Sequence, residues 1–410
     1  MEVEAVREKV KAVPKLRFAE FNGAWSAGPL EDVLDLKSGY IFKSETYVEG
    51  GRYRVITIAN VQDGRMSFER LSTVAELPDN IRDFQVLQQG DILISLTGNV
   101  GRVCLVEVDD CLLNQRVGKL VPKAQVDKDF LYQVLRNEEF LNAMVEQAQG
   151  GAQDNLSSKD VLGYEATLPT LPEQQKIAAF LGAVDRKIQQ LKRKQALLEQ
   201  YKKGVVQQLF NQQLRFKRKD GGEYPEWEEK RLGDVCEIAG GGTPDTDVPE
   251  YWNGDIQWFT PTEIKGKYVS KSKRTITKLG LQKSNAVLLP VGTILFTSRA
   301  TIGEVSFAME ECATNQGFQS IIVNKHNSSE FVYQWILHHR ELFMRKAQGS
   351  TFFELSKKEM AEIPIEVPSL EEQSRIAGFL MALDAKVAGV AQAVAAAQQW
   401  KKGLLQQMFV

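Results

Sequence analysis

Leu171–Phe210 reads LPEQQKIAAFLGAVDRKIQQLKRKQALLEQYKKGVVQQLF, and Leu370–Phe409 reads LEEQSRIAGFLMALDAKVAGVAQAVAAAQQWKKGLLQQMF. The two stretches align without a gap at an offset of 199 residues. Pro169, Glu173, Gln174, Ile177, Ala178, Phe180, Leu181, Ala183, Asp185 and Lys187 recur as Pro368, Glu372, Gln373, Ile376, Ala377, Phe379, Leu380, Ala382, Asp384 and Lys386. The far ends match as well, Lys202-Lys203-Gly204 with Lys401-Lys402-Gly403 and Gln207-Gln208 with Gln406-Gln407. A gapless match of this length points to one duplicated unit.

The period within each copy points to a helix. A mostly apolar seam runs Ile177, Leu181, Val184, Ile188, Leu191, Gln195, Leu198, Lys202, Val205, Leu209 in the first and Ile376, Leu380, Leu383, Val387, Val390, Val394, Ala397, Lys401, Leu404, Met408 in the second. Steps of four and three alternate, which is the coiled-coil period. Pro172 falls at a helix start, where a missing N–H costs nothing. Ser369 and Glu372 have capping-box spacing. Two helices of roughly 58 Å are expected at ~1.5 Å per residue, each the other's simplest partner in an antiparallel coiled coil. Lys202 and Lys401 interrupt the seams, either as buried register-setting residues or as snorkelling edge residues.

Length and composition bound the rest. A chain of 410 residues should hold more than one domain. No apolar run reaches the ~20 residues of a membrane span, and the charged start MEVEAVREKVKAV does not read as a secretory signal. Cys104, Cys111, Cys236 and Cys312 show no paired spacing, so small buried thiols in a reduced, cytoplasmic setting are expected. The formal net charge of -2 argues against a uniformly basic coat but leaves room for a local basic face.

The duplication extends upstream. Leu16-Arg17-Phe18 is echoed by Leu214-Arg215-Phe216, and each leads into a tryptophan, Trp25 or Trp227. Between these points and the helices, weakly similar segments keep their landmarks in order. Asp32-Val33 matches Asp234-Val235, Asn114-Gln115 matches Asn315-Gln316, and Ala148-Gln149-Gly150 matches Ala347-Gln348-Gly349. Strand-like runs such as Asp91–Leu96 and Thr293–Thr297 alternate with turn residues, and helical stretches follow at Asp129–Gln147 and Ser329–Lys346. The fold class is therefore α/β: two similar globular domains with two long helices and a pseudo-two-fold internal repeat. The expected layout is an N-terminal helical segment at 1–21, a first domain at 22–168, a first long helix at 169–213, a second domain at 214–367 and a second long helix at 368–410.

Loops on such a frame are free to differ and to recognise. Lys265, Lys267, Lys271, Lys273 and Arg274, with Thr260 and Thr262 before them, combine cations and hydroxyls as phosphate contacts do; a solvated face would look the same. Ser298 and Arg299 follow a strand-like run, and their first-domain counterparts include Thr97 and Asn99, with Arg102 nearby. Asn114-Gln115-Arg116 and Asn315-Gln316 supply amides suited to adenine edges, and arginine suits guanine; turn chemistry is the other reading of the Asn-Gln pair. Lys43, Asn60, Arg65 and Thr243 complete the candidate DNA contacts. Lys192, Arg193 and Lys194, then Arg215, Lys217, Arg218 and Lys219, add positive charge along and after the first helix. Gly240-Gly241-Gly242-Thr243 lacks the lysine ending of a phosphate loop and reads as a flexible turn. His326, His338 and His339 have no metal-ligand spacing. Trp25, Trp227, Trp252 and Trp258 read as core. No nucleotide-binding, hydrolase or methyltransferase motif stands out, so no cofactor and no metal are expected.

Pro169–Leu181 (PTLPEQQKIAAFL), Pro368–Leu380 (PSLEEQSRIAGFL), the Lys-Lys-Gly and Gln-Gln-x-Phe helix ends and the loop GGGTPDTDVPEYWNGDIQWFTPTEI at Gly240–Ile264 resemble the specificity subunit of type I restriction-modification systems. The first domain departs from that loop pattern with LKSGYIFKSETYVEGGRYRVITIANV at Leu36–Val61. The resemblance implies two target-recognition domains, each reading one half of a split site in double-stranded DNA. It implies paired helices that set the spacer, two methyltransferase subunits docked on the helical region, and motor-nuclease subunits that can join. The chain itself would be non-catalytic, and the methyl donor would bind in its partners. Gln174, Lys176, Gln373 and Arg375 are the candidate partner contacts. A coiled-coil scaffold without DNA is the alternative, and an enzyme on an unfamiliar fold is a second.

Overall fold

The computed structural model describes residues 13–149, 155–299, 301–348 and 354–409. Residues 1–12 of the helical segment expected at 1–21, and the repeat glycines Gly150 and Gly349, lie outside them. Residues 13–21 are not helical. The chain divides into two units, residues 1–192 with 392–410, and residues 193–391.

The first unit begins with strands Ser26–Pro29 (β1), Leu34–Ser38 (β2), Tyr53–Ile56 (β3), Val61–Gln62 (β4), Arg65–Met66 (β5) and Ser72–Val74 (β6). Val86–Leu87 (β7), Ile92–Ser95 (β8), Val103–Leu105 (β9), Cys111–Leu113 (β10) and Val117–Pro122 (β11) follow. Helices Lys128–Leu135 (α1), Glu138–Ala148 (α2) and Ser158–Leu162 (α3), strand Glu165–Leu168 (β12) and the long helix Leu171–Phe210 (α4) come next. One sheet has the order β2-β11-β8-β9 and another β6-β3-β10-β7, while β1 pairs with β12. Within the second sheet β3 and β10 are parallel.

The second unit repeats this plan with Glu228–Arg231 (β13), Leu232–Val235 (α5), Cys236–Gly240 (β14), Trp252–Phe259 (β15), Tyr268–Val269 (β16), Arg274–Ile276 (β17) and Lys278–Gln282 (α6). Ile294–Phe296 (β18), Val305–Ala308 (β19), Cys312–Thr314 (β20), Gln319–Val323 (β21), Ser329–His338 (α7), Arg340–Gln348 (α8), Lys357–Ala361 (α9), Pro364–Val367 (β22) and Leu370–Met408 (α10) complete it. The sheets run β14-β21-β18-β19-β16 and β17-β15-β20, with β13 on β22 and a parallel β15/β20 pair. The central strand order is shared, β2-β11-β8-β9 with β14-β21-β18-β19 and β6-β3-β10 with β17-β15-β20, so the duplication covers whole domains; β16 on the parallel β19 edge and helix α6 belong to the second unit alone, and β7 to the first.

The single helical stretch expected in each domain is in fact two helices. Asn137 has extended backbone (φ -69, ψ 144) and restarts the chain as α2, and His339 ends α7 before α8 begins. An amphipathic period cannot register one residue leaving helical geometry, because the helix that follows carries the same period.

The Glu-Gln pair at the head of each long helix ties that helix to its own domain. Glu173 is buried and accepts from Arg17 Nε and Nη2, both at 2.7 Å, and from Trp25 Nε1 at 3.3 Å. Its counterpart Glu372, 0 % exposed, accepts from Arg215 Nη2 at 3.0 Å. The Ser369 hydroxyl accepts from the Glu372 N–H at 3.4 Å, but the Glu372 carboxylate goes to Arg215 and the reciprocal half of the expected capping box is not made. Burying a carboxylate is costly unless a cation and hydrogen bonds meet it, and Arg17 and Arg215 supply them. Arg215 is thereby a structural residue and not part of a basic exit.

Gln174 and Gln373 are buried too. Gln174 Nε2 donates to Pro169 O at 2.9 Å and its Oε1 accepts from Asp127 N at 2.8 Å. Gln373 Nε2 donates to Pro368 O at 2.9 Å and its Oε1 accepts from Ser328 N at 2.8 Å. Asp127 and Ser328 are the residues whose side chains cap α1 and α7. The two glutamines therefore lock the domain helix to the long helix, and neither reaches a surface where a partner could touch it.

In the first unit Ile177, Leu181, Val184 and Ile188, near the start of α4, share a core with Leu404 and Met408, near the end of α10. In the second, Val205, Leu209 and Phe210, near the end of α4, share a core with Ile376, Leu380 and Leu383, near the start of α10. Start packs on end in each, which is antiparallel pairing. Lys401, 7 % exposed, places its Nζ 2.7 and 2.8 Å from the two Asp185 oxygens. Lys202 Nζ lies 2.5 Å from Asp384. The seam lysines are ion-paired, not snorkelling.

By length and composition α10 could cross a membrane, with a mean hydropathy of 1.5 over its most apolar window, so the expectation that no stretch has this property does not hold. The helix nonetheless buries Glu372 and Lys401 and lends its apolar seam to the domain cores. The four cysteines are free and buried. Burial pushes the Cys104, Cys236 and Cys312 thiols up to about 12 and Cys111 to about 11, which makes them inert as nucleophiles.

Candidate nucleic-acid interface

Each unit gathers polar loops at the carboxyl ends of one parallel strand pair, β3/β10 in the first and β15/β20 in the second, the place where open α/β sheets leave a crevice for ligands. In the second unit the loop after β14 closes onto the loop after β20. Gly242 N donates to Thr314 O at 2.8 Å, and a Cβ on Gly241 would lie 2.0 Å from Asn315 O. In the first unit Tyr40 N donates to Leu113 O at 2.7 Å, and a Cβ on Gly39 would lie 2.1 Å from Asn114 O. Gly241 and Gly242 are thus close-approach glycines and not the flexible turn that the triplet suggests.

The next layer is also shared. Thr260 donates from its N and Oγ1 to Glu263 Oε2 at 2.8 and 2.7 Å. Thr57 does the same to Asn60 Oδ1 at 2.9 and 2.8 Å. Asn114 Oδ1 accepts from Arg116 N at 3.3 Å and Asn315 Oδ1 from Gly317 N at 2.9 Å, so these asparagines are turn residues. Ser298 N donates to Gly317 O at 2.8 Å, as Leu96 N does to Arg116 O at 3.0 Å. These bonds hold two platforms of one shape with different side chains. Equivalent positions carry Ile41 and Thr243, Arg116 and Gly317, Asn60 and Glu263.

The candidate contacts divide accordingly. Thr243, Thr260, Thr262, Lys273 and Arg299 stand on or beside the second platform. Thr243 Oγ1 donates to Gln316 Oε1 at 2.6 Å, Lys273 N donates to Glu263 Oε1 at 2.7 Å, and Arg299 Nε lies 2.7 Å from Glu354 Oε1. Lys265 and Lys271 are exposed on the neighbouring loop. Arg274 is exposed but stacks on Trp252, its Cζ 3.5 Å from the ring centre. In the first unit Thr97, Asn99 and Arg116 flank the platform, and Lys43 is exposed on the loop that follows Tyr40. Arg102 donates to Gln62 Oε1 at 2.6 Å.

Other candidates belong to the scaffold. Asn60 is fully buried, its Oδ1 taken by Thr57 and its Nδ2 donating to Ser67 O at 2.9 Å. Ser298 is also fully buried. Lys267 sits within 6 Å of the Tyr268, Phe307 and Tyr333 rings, 2.8 Å from Glu330; burial works against its charge, but the Glu330 carboxylate more than offsets this and raises its pKa. Its cation is spent inside the protein. Arg65 lines a separate cleft of about 780 Å³ with Asp63, Arg136, Asp185 and Lys401. Among the described residues no cluster of His, Cys, Asp and Glu could hold a metal ion.

Two further surfaces surround the candidate partner contacts Lys176 and Arg375, and their aromatic members were not singled out from the sequence. Phe18 and Phe180 meet edge-on at 5.8 Å, Lys176 lies over Phe18, and Trp400, 55 % exposed, packs on Phe180 at 6.2 Å. In the second unit Phe216 and Phe379 meet at 5.5 Å with Arg375 over Phe216, and Tyr201, 54 % exposed, holds the position equivalent to Trp400. The shared offset of Tyr201 and Trp400, both just before Lys-Lys-Gly, was the available signal.

The family profile described as the type I restriction modification DNA specificity domain matches residues 22–200 and again 224–393. The chain belongs to this family, as one of its specificity subunits. It is 39 % identical over 188 residues to the type I restriction enzyme MjaIX specificity subunit of Methanocaldococcus jannaschii, covering 43 % of this chain and 42 % of that one. It is 24 % identical over 388 residues to the putative type I restriction enzyme MjaX specificity subunit of the same organism, covering 90 % and 89 %. The chain thus spans under half the length of the former relative and most of the latter. The fold is similar to that of a crystal structure of the type I restriction-modification S subunit from M. genitalium, at a TM-score of 0.62 and 16 % identity over 97 % of this chain and 99 % of the other.

Proposed function

We propose that this chain is the non-catalytic, cytoplasmic reader of a bipartite DNA site, each unit reading one half through its strand-end platform. The observation that carries this reading is the pair of platforms with one backbone and unequal side chains. A duplicated frame that presents different side chains at equivalent loop positions is what two different half-sites require. The cations nearby supply phosphate affinity without sequence preference, and the platform side chains reach base edges. The long helices set the unread gap between the halves. A helix of 40 residues spans roughly 60 Å, against about 34 Å per turn of B-DNA.

The two aromatic–cation patches, chemically alike in the two units, are where two identical methyltransferase subunits dock, with motor-nuclease subunits able to join. Equivalent surfaces on one chain suit two copies of one partner, and exposed aromatics beside a cation suit interface anchors. Lys176 and Arg375 lie in these patches. Changing Trp400→Ser together with Tyr201→Ser should weaken association with the methyltransferase at least about tenfold in a pull-down titration, while the unfolding midpoint stays put. Unchanged affinity would remove the patches from the interface.

The deciding experiment is methylation mapping of DNA from cells expressing this chain with its neighbouring methyltransferase. A new motif of two short halves and a fixed gap is expected, and replacing residues 22–168 by those of a relative should alter one half only. Absence of any new motif, with the partner present and bound, would defeat the proposal.

A further inference from the structure

We infer that Gln115 and Gln316 are the matched base-reading residues of the two platforms, each directed at an adenine, while the asparagine before each is a backbone brace. This rests on the bipartite-site reading above.

The two Asn-Gln pairs are alike in sequence, and the structure separates their members. Asn114 is buried and Asn315 half-buried, and each spends its side-chain oxygen on the backbone two residues ahead, at 3.3 and 2.9 Å. Gln115 and Gln316 are exposed at the same point of the fold, directly after β10 and β20. Their backbones are fixed. Gln115 N donates to Tyr40 O at 2.9 Å, and the preceding carbonyls press on Gly39 and Gly241. The Gln115 amide has no hydrogen-bond partner among the described residues. Only the Gln316 oxygen is engaged, by Thr243 Oγ1 at 2.6 Å, which orients that amide and leaves its NH2 without a partner among the described residues.

A planar amide offers one donor and one acceptor side by side, the pattern that matches N7 and the 6-amino group of adenine in the major groove. A rigidly held strand end with a short, uncharged, exposed amide suits that task better than the surrounding lysines, whose flexible point charges suit phosphate. The neighbours differ where the halves must differ. Ile41, 66 % exposed, stands beside Gln115 and can meet a thymine methyl. Thr243 stands beside Gln316 and offers a hydroxyl instead.

The test uses the full chain with its methyltransferase and reads methylation motifs. Gln115→Ala is expected to relax one adenine-containing position of one half-site by about tenfold or more and to leave the other half intact; Gln316→Ala is expected to do the converse. Gln115→Glu, which keeps size but only accepts, is expected to move preference at that position from adenine toward cytosine. Asn114→Ala is expected to lower the unfolding midpoint without changing which base is preferred. If the unaltered chain yields a bipartite motif and both alanine variants, folded by thermal melting, read every position as before, the assignment is overturned. If the unaltered chain yields no bipartite motif, the underlying reading fails and the assignment with it.

Discussion

Replacing Asp185 with alanine should destabilise the first unit by about 3 kcal/mol, the low end of the cost of leaving a buried charge, here the Lys401 ammonium, without its partner. Both Asp185 oxygens face Lys401 Nζ, and Oδ2 also accepts from Gln133 Nε2 at 3.0 Å. Lys401 lies in a setting that disfavours its charge. Burial lowers its pKa, the nearby Arg136 lowers it further, and the Asp185 carboxylate is the main opposing influence. Without Asp185 an ammonium group remains buried beside a guanidinium. The second unit provides an internal comparison. Asp384 accepts from Gln334 Nε2 at 3.0 Å and meets Lys202; the two carboxylates are equally exposed, at 29 % and 28 %, but the Lys202 side chain is 28 % exposed against 8 % for Lys401. Asp384→Ala should therefore cost less, about 1–2 kcal/mol. Urea unfolding gives the totals, and hydrogen exchange of residues 128–135 against 329–338 assigns each loss to its unit. Combining Asp185→Leu with Lys401→Met should recover most of the stability, since apolar groups of similar volume replace such pairs at little cost. Equal losses for Asp185→Ala and Asp384→Ala would show that burial does not govern these pairs.

Gly241→Ala should collapse the second platform. The new methyl would sit 2.0 Å from Asn315 O and 2.4 Å from Thr314 Oγ1, with further backbone at 2.5 Å. Backbone on that side cannot rotate away as a side chain could, so the β14 and β20 ends must part. Overpacking costs typically about 1–3 kcal/mol, and this site belongs at or above the top of that range. The functional consequence should exceed the thermodynamic one, because Thr243 and Gln316 are held together across that contact. Methylation of sites that depend on the second half-site should be lost, while exchange protection of the first unit stays as it was. The equivalent change Gly39→Ala should do the reverse. A Gly241→Ala chain that still methylates its full motif would show that the platform does not need this close approach.

The repeat made the long helices legible almost residue by residue. A 3-4 apolar alternation that recurs at a fixed offset has one structural solution, and every seam position named from it is buried or half-buried. The platforms were legible only as places. Asn60 looked like a surface amide because sequence does not show that Thr57 and Ser67 enclose it. Lys267 looked like its lysine neighbours because Glu330 and Tyr333 lie more than sixty residues away in the chain. The Glu-Gln pair reads as a cap or a partner contact, yet its bonds go to residues distant in the chain, Arg17 and Trp25 at the domain's start and Asp127 ahead of its first helix. Local pattern reports which face a residue takes within its own element, whereas these assignments depend on what another element brings to that face.

The division of the helices has a consequence for synthesis on the ribosome. The second unit is one uninterrupted run, residues 193–391, whereas the first needs residues 392–410 to close. Leu404 and Met408 belong to its core, and Phe409 packs on Trp25 and Phe130 at 6.4 and 5.5 Å. The unit translated first is thus the last that can be completed. Some two hundred codons, or tens of seconds at about 5–20 residues per second, separate its emergence from its closure. Throughout that interval the apolar stripe of Ile177, Leu181 and Val184 lacks the part of its cover that Leu404 and Met408 provide, so the nascent first half carries exposed apolar surface while the second unit is being made.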